Sequence, residues 1–436
     1  MGCARSVALP RASRLFWSSV VVVATLKAIL LFAVLPFLLR AAPDAYLVNT
    51  FSDEYDAIAV NLLEGRGYRV YPETSETMLR TPGWVLILAA IFAVAGKSLF
   101  AVQVFNLLIS LVGGWGVYRL TLRITGVDVT AVVATTVYLL YPATVLAESR
   151  GGLESAFTTC AILFMLVVYR ALSSYAYRDY LVAGVLFGIG LLIKSTLAFA
   201  LPALFIWLVL SRQRKPDFRR LVSLFAVAAV TATLILSPWI IRNYRISGEF
   251  VATMSSGGTT AFQGLWVVKN KGSGKAHMEL LSDAVAEEER IAKEMGLAFK
   301  EGFFLQFYSP NDEIDFYAEL GRRARNELLS SPKLALQTIL HNFVGFWIQG
   351  RTPRTTFMNV LLVLPFLAVS LIGFIIARRQ GLPVAPVVLL MGTFIAPHLP
   401  ILGVARYHVP MVPFLAVFVA VAFSAAAARL WPKPSS

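Results

Sequence analysis

Apolar stretches of about 20 residues recur along most of this chain, and no other feature constrains its fold as strongly. Such a stretch is what an α-helix needs to cross a bilayer, where lipid offers the backbone no hydrogen-bond partners. A soluble chain of 436 residues would need several domains, each with a polar surface. Charged residues make up only 15% of this sequence, against roughly 25% in soluble domains, and apolar residues make up 57%. The sequence therefore reads as an all-α polytopic membrane protein.

The formal net charge is +14. Basic residues mostly flank the apolar segments, as the positive-inside bias and anionic headgroups favour. No basic stripe with interleaved aromatics occurs, which argues against nucleic acid as a partner. Cys3 and Cys160 suggest neither a disulfide framework nor a metal site.

Topology follows from charge and parity. The first apolar stretch, Phe16–Leu39, is too long for a signal-peptide core and carries Lys27 within it. It reads as a retained anchor, with Arg5, Arg11 and Arg14 holding its start in the cytoplasm. Further spans are expected at Leu99–Leu120, Thr130–Ala147, Ser155–Leu172, Tyr180–Ile193, Thr196–Leu210, Leu221–Ile241, Phe357–Ala377, Val384–Leu402 and Val409–Ala428. The strongest inside marker is Arg212, Arg214, Lys215, Arg219 and Arg220, followed by Arg378-Arg379 and by Arg429 with Lys433. Counting back from it places Arg119 and Arg123 inside and Glu148 outside. Were Pro82–Ala95 to cross as well, that basic cluster would face outward. The segment is therefore expected to lie at the outer interface or to re-enter. About ten spans result, with both termini inside and two outer regions, residues 41–98 and 242–355. The expected division is an N-terminal membrane module (1–241), an extracytoplasmic module (242–355) and C-terminal membrane helices (356–436). Lys194 sits at a break between two short apolar segments, a pattern that often lines a polar cavity.

Polar residues worth singling out cluster on the outer side. Asp53-Glu54-Tyr55-Asp56 opens a helical pattern that runs to Glu64, with Gly65 as its stop. Ser52 or Asp53 is the expected N-cap, and helix capping alone would also account for the acids. Arg80-Thr81-Pro82-Gly83 places an arginine at the mouth of the interfacial helix, suited to a lipid phosphate or to plain snorkelling. Glu148, Arg150 and Glu154 lie on the second outer loop, where catalysis and a structural salt bridge are both open. Arg242 and Arg406 break the inside bias, and anion binding at the outer interface would explain them. Gly96-Lys97-Ser98 looks like the end of a phosphate-binding loop, but Ile91 stands where its first glycine is required. His277, His341, His398 and His408 show no metal-ligand spacing.

Together these residues resemble the GT-C superfamily of membrane glycosyltransferases, above all bacterial members related to protein O-mannosyltransferases and lipid A aminoarabinose transferases. The likeness rests on several ordered fragments. They are Asp53-Glu54-Tyr55 with the tail Asn61-Leu62-Leu63-Glu64-Gly65-Arg66-Gly67-Tyr68, Arg80-Thr81-Pro82-Gly83, Tyr141-Pro142 leading to Glu148, Pro238-Trp239-Ile240-Ile241-Arg242-Asn243-Tyr244, and Arg406-Tyr407-His408-Val409-Pro410. The resemblance implies a GT-C-like fold and transfer of a sugar from a polyprenyl-phosphate donor to a lipid, glycan or protein acceptor. The work would be done on the outer face of a bacterial plasma membrane. It further implies Asp53 as the catalytic base, with Glu54 beside it. Tyr55, Arg80, Glu148, Glu154, Arg242 and Arg406 would bind substrate. No cofactor is required on this reading, although Asp53 with Glu148 leaves a divalent cation open. Two other readings stay open: a secondary transporter of an amphiphile, and a polymerase or ligase using lipid pyrophosphate donors.

Overall fold

The computed structural model describes residues 13–40 (the side chains of 38–40 excepted), 54–211, 215–302 and 304–430. Asp53 lies outside the described residues, as do Ser52, Cys3, Arg5, Arg11, Arg212, Arg214 and Lys433.

Helices form where the apolar stretches predicted them, and their ends obey ordinary capping rules. The helices are α1 (Arg14–Phe37), α2 (Tyr55–Leu63), α3 (Pro82–Ala95), α4 (Leu99–Thr125), α5 (Asp128–Leu140) and α6 (Pro142–Ser149). Next come α7 (Glu154–Ser174), α8 (Tyr177–Ile193), α9 (Ser195–Leu210) and α10 (Phe218–Ser247). The segment expected to form an outer module contributes α11 (Gly257–Asn270), α12 (His277–Glu294), α13 (Pro310–Ser330) and α14 (Pro332–Ile348). The chain closes with α15 (Pro353–Arg379), α16 (Ala385–His398) and α17 (Ala405–Leu430). In α4, the Ser98 hydroxyl accepts from the Ala101 N–H at the start, and Gly126 ends the helix in the left-handed region (φ 70°).

Among the described residues, six helices (α1, α4, α7, α10, α15 and α17) are long and apolar enough to cross a membrane. A seventh span results if the pair α5 and α6, bent by 45°, is counted as one. The bend falls where Pro142 removes a backbone donor and forces Tyr141 into an extended conformation (ψ 123°). The expected spans at α8, α9 and α16 are present as shorter helices. Helix α3 has 14 residues, about 21 Å, and like α16 is shorter than a hydrocarbon core of roughly 30 Å.

Packing is tight where side chains are small. A Cβ on Gly184 of α8 would lie 2.4 Å from the Ala228 carbonyl oxygen of α10. The two backbones approach as closely as membrane helices do at small-residue contacts. The outer module has its own apolar core, in which Phe262, Ile291, Phe304, Phe307, Phe316 and Tyr317 surround Leu79 of the first outer loop. Its only strands among the described residues are β1 (Phe299–Lys300) and β2 (Gln306–Phe307), antiparallel, with Phe299 opposite Phe307. The two regions expected on the outer side are thus joined. Buried Glu313 accepts from the Met78 N–H at 2.9 Å, the Thr77 hydroxyl at 2.5 Å and the Ser255 hydroxyl at 2.6 Å.

Candidate active site

The motif Arg80-Thr81-Pro82-Gly83 is explained residue by residue. The break after α8 leaves carbonyls at its C-terminus without helical partners. The Thr81 hydroxyl donates to one of them, Ile193, at 2.9 Å. Pro82 takes the first position of α3, where a missing N–H is harmless. Gly83 is demanded by contact, since a Cβ there would sit 2.7 Å from the Leu192 carbonyl oxygen. Tyr68 Oη lies 3.1 Å and 3.2 Å from the Arg80 and Thr81 carbonyls, which fixes the chain just before the helix.

So held, Arg80 is buried, with its guanidinium carbon 4.2 Å from the centre of the Phe304 ring and 5.2 Å from that of Tyr55. Both rings are within cation–π range. Phe304 comes from the outer module and Tyr55 from the start of α2, so this arginine lies where three elements meet. Glu54 occupies the N-cap position of α2 in the left-handed region (φ 64°), a conformation that costs a non-glycine residue about 1 kcal/mol or more. The sequence pointed to Ser52 or Asp53 for that cap; the left-handed turn at residue 54 moves it one position on. Gln306 donates to the Glu54 carboxylate at 3.2 Å. The hydroxyl of Tyr71 is raised above its ordinary pKa by burial, and further by the Glu54 charge.

A second cluster adjoins the first through the backbone. Lys194 follows Ile193, the residue bonded to Thr81. Its Nζ is 4.9 Å from the centre of the Tyr407 ring and 5.8 Å from that of Phe157. Arg406 is exposed, with its guanidinium 5.7 Å from the Tyr407 ring. The His398 ring lies 4.4 Å from Tyr407 on another side. Three basic or potentially basic side chains therefore gather round one aromatic ring.

Other expected site residues are held differently. Arg242 donates to Glu76 at 2.8 Å and to the Thr77 carbonyl at 2.8 Å. It is flanked by the rings of Tyr68 and Trp239 at 5.1 and 4.9 Å. Its visible work is to pin the strand of chain that precedes Arg80. Glu148 is fully buried and pairs with Lys27 at 2.8 Å, with the Ser155 hydroxyl donating to the same oxygen at 3.0 Å. Lys27 also donates to Ser110 at 3.0 Å. The charge noted inside the first apolar stretch thus has its partner 121 residues away. Gln103 and Asn106 of α4 donate to the carbonyls of Ser149 and Gly152 at 2.7 and 3.0 Å. They hold the turn that carries Arg150 and leads into Glu154 at the start of α7. Glu154 begins α7, one turn ahead of Phe157. Among the described residues, no group of three or more His, Cys, Asp or Glu could hold a metal ion.

Sequence reasoning missed Phe304, Gln306 and Tyr407 as site components and registered Lys194 only as a break residue. For Lys194 the signal was present, a lone lysine between two short apolar helices. For Phe304 and Gln306 there was none, because their relation to Arg80 exists only once the outer module docks.

Residues 80–241 match the family model of dolichyl-phosphate-mannose-protein mannosyltransferases. The matched segment begins at Arg80 and includes Glu148, Glu154 and Lys194. Among solved structures, the oligosaccharyltransferase of Archaeoglobus fulgidus superposes with a TM-score of 0.53 at 15% identity, over 95% of this chain and 49% of that one. The chain thus spans about half the length of the archaeal protein. ArnT from Cupriavidus metallidurans, solved bound to undecaprenyl phosphate, aligns at 15% identity over 96% of this chain and 79% of its own, with a TM-score of 0.42. No curated protein matches the sequence.

Proposed function

We propose that the protein transfers a sugar from a polyprenyl-phosphate donor to an acceptor outside the cytoplasm, in a single in-line displacement that inverts the anomeric carbon. One observation carries the reading: Thr81 is bonded to Ile193, so Arg80 and Lys194, two cations on different elements, flank one joint beside the acid at residue 54. That is a setting for an anionic leaving group next to a base.

Asp53, one residue before Glu54, acts as the base. It takes the proton from an acceptor hydroxyl while the oxygen of that hydroxyl attacks the anomeric carbon. The bond from that carbon to the phosphate oxygen breaks, and the electron pair leaves with polyprenyl phosphate. The departing phosphate needs no proton, only positive charge. Arg80, Lys194 and Arg406 supply that charge in a site partly shielded from water. Glu54, held by Gln306, fixes the start of α2 one residue after Asp53, and Tyr55 supports Arg80. Glu148 and Arg242 act at one remove, through the Ser149–Gly152 turn and the chain before Arg80. Glu154 is placed to meet the acceptor.

The donor class is supported by the family model, whose name specifies a dolichyl-phosphate sugar. We further read ten spans, counting α8, α9 and α16, with the outer module facing the periplasm of a bacterial plasma membrane. The division at residues 241 and 355 belongs to the same reading.

The test is transfer of label from radiolabelled polyprenyl-phosphate sugars to membrane extract by purified protein. Asp53→Asn and Arg80→Gln should each lower turnover by on the order of 100-fold or more with folding intact. Full turnover by Asp53→Asn would remove Asp53 as base. Substrate flux across vesicles without any transfer would replace the enzyme by a transporter.

A further inference from the structure

Helix α14 is inside out for a helix in water. The side chains turned toward protein include Thr338, Asn342 and Gly345, at i, i+4 and i+7. Those turned outward are Leu336, Ile339, Leu340, Phe343 and Val344, each between 39% and 57% exposed. Their spacing makes one continuous apolar face. Soluble surfaces seldom carry so large an apolar patch without a use for it. Small and polar residues inside with apolar residues outside is the pattern of a helix surrounded by lipid.

The inner face satisfies its own polar groups, as that environment requires. Asn342 donates to the carbonyls of Leu399 and Ile401 at 3.0 and 2.8 Å. Its carbonyl oxygen accepts from the Gly403 N–H at 3.3 Å. Thr338 donates to the Leu334 carbonyl at 2.8 Å. Gly345 admits the Gly403 carbonyl, which a Cβ would meet at 2.5 Å.

Both ends of α14 lie on one side of the bundle. The helix is the last of the module that docks on residues 75–81, and the Gln349 carbonyl just after it accepts from the Ala405 N–H at 2.9 Å, where α17 begins. Helices α15 and α17 run side by side in the same direction from there. Ser370 lies against Leu415, and Phe374 packs on Phe418 with ring centres 5.5 Å apart. They end at the basic residues Arg378, Arg379 and Arg429. A helix of 17 residues, about 25 Å, with both ends on that side does not cross.

We propose that α14 is an interfacial helix whose Leu336–Val344 face is immersed in the acyl chains of the outer leaflet. The occupant is lipid because the face is continuous with a helix that spans. Phe357, Leu361 and Leu364 of α15 are exposed in the same way, starting nine residues after α14 ends. The proposal takes the outward orientation from the functional reading, while the immersion itself is independent of sugar transfer. It sets the depth of the second cluster. Phe346 lies 5.5 Å from the His398 ring, and Trp347 stacks on His408 at 5.9 Å. Lys194 and Tyr407 therefore sit near the level of the outer-leaflet headgroups, where a lipid phosphate would be found.

The experiment uses the full chain with Cys3→Ser and Cys160→Ala, spin-labelled through Leu340→Cys or Phe343→Cys, in phosphatidylethanolamine–phosphatidylglycerol vesicles. Ser282→Cys in the outer module serves as the aqueous control. Labels at 340 and 343 should collide several-fold more with oxygen, relative to a water-soluble nickel chelate, than the label at 282. Chelate access equal to that at 282 would overturn the proposal. So would oxygen exclusion with short label-to-label distances between copies, which would assign the face to a second chain. The unsubstituted protein provides a check that needs no variant. A lipid-soluble carbene reagent should label peptides from both α14 and α15; labelling of α15 alone would overturn the proposal. A protein labelled as expected but unable to transfer sugar would keep this inference and lose the functional one.

Discussion

Glu148 shows how much of a residue's setting lies outside the reach of sequence. It stood in a run of outer-loop charges and invited a role toward substrate. In the fold it is fully buried against Lys27, 2.8 Å away; the Ser155 hydroxyl donates to the same carboxylate oxygen, and Lys27 also donates to Ser110. A charge pair in that setting is worth its mutual attraction only while both partners remain. Removing one strands the other in a medium that cannot solvate it. Lys27→Met or Glu148→Gln should therefore each destabilise the protein by on the order of 3–5 kcal/mol. The double variant Lys27→Met/Glu148→Leu should recover most of that loss. Thermal unfolding in detergent reads both, and a double variant no more stable than the singles would show that the pair does more than satisfy itself. The lysine was legible as an anomaly in an apolar stretch. Its partner was not, because the pairing of residues 121 apart is decided by helix packing and not by local pattern.

At the scale of elements, the apolar stretches were legible and their ends less so. Helices formed at every expected span, yet the segment 130–147 bends at Pro142, and α10 extends six residues past its expected end to carry Arg242 and Asn243 outward. The joint between α3 and the α8–α9 break was visible only as the word Arg-Thr-Pro-Gly. Its meaning is steric. Gly83 lets two backbones touch, and neither can retreat without breaking the Thr81–Ile193 hydrogen bond. Gly83→Ala should cost roughly 1–3 kcal/mol through overpacking. Transfer should fall further than that loss of stability explains, since Arg80 is displaced from Phe304 and Tyr55. Measuring turnover alongside unfolding separates the two effects. A variant with wild-type turnover would mean that the arginine does not depend on this joint.

At the scale of the whole molecule, the first outer loop and the outer module act as one unit. Leu79 is part of the module core, and Glu313 receives three hydrogen bonds from residues 77, 78 and 255. Sequence reading separated these regions because nothing local announces that a buried acid on one will accept from the backbone of the other. Whatever loosens the module should therefore loosen the setting of Arg80. Glu288, beneath α11, is placed to do so. It is buried, bonded to the Thr259 hydroxyl, and 3.4 Å from the Gln263 amide. Burial lifts its carboxyl from the ordinary 4.5 to about 8. Burial also raises that of Glu313. Between those two pH values the folded module keeps its proton while an unfolded chain would lose it. The stabilisation is therefore complete below about pH 4.5 and is lost as pH rises through about 8. Module stability should fall between pH 5 and 9, read by amide hydrogen exchange on α11 and α13. Turnover should decline over the alkaline part of that range. Glu288→Gln keeps the hydrogen-bonding shape without a titrating proton, and it should flatten both curves, leaving the slope that Glu313 contributes. An unchanged exchange profile in Glu288→Gln would separate the module from the site and return the alkaline loss to the reacting groups themselves.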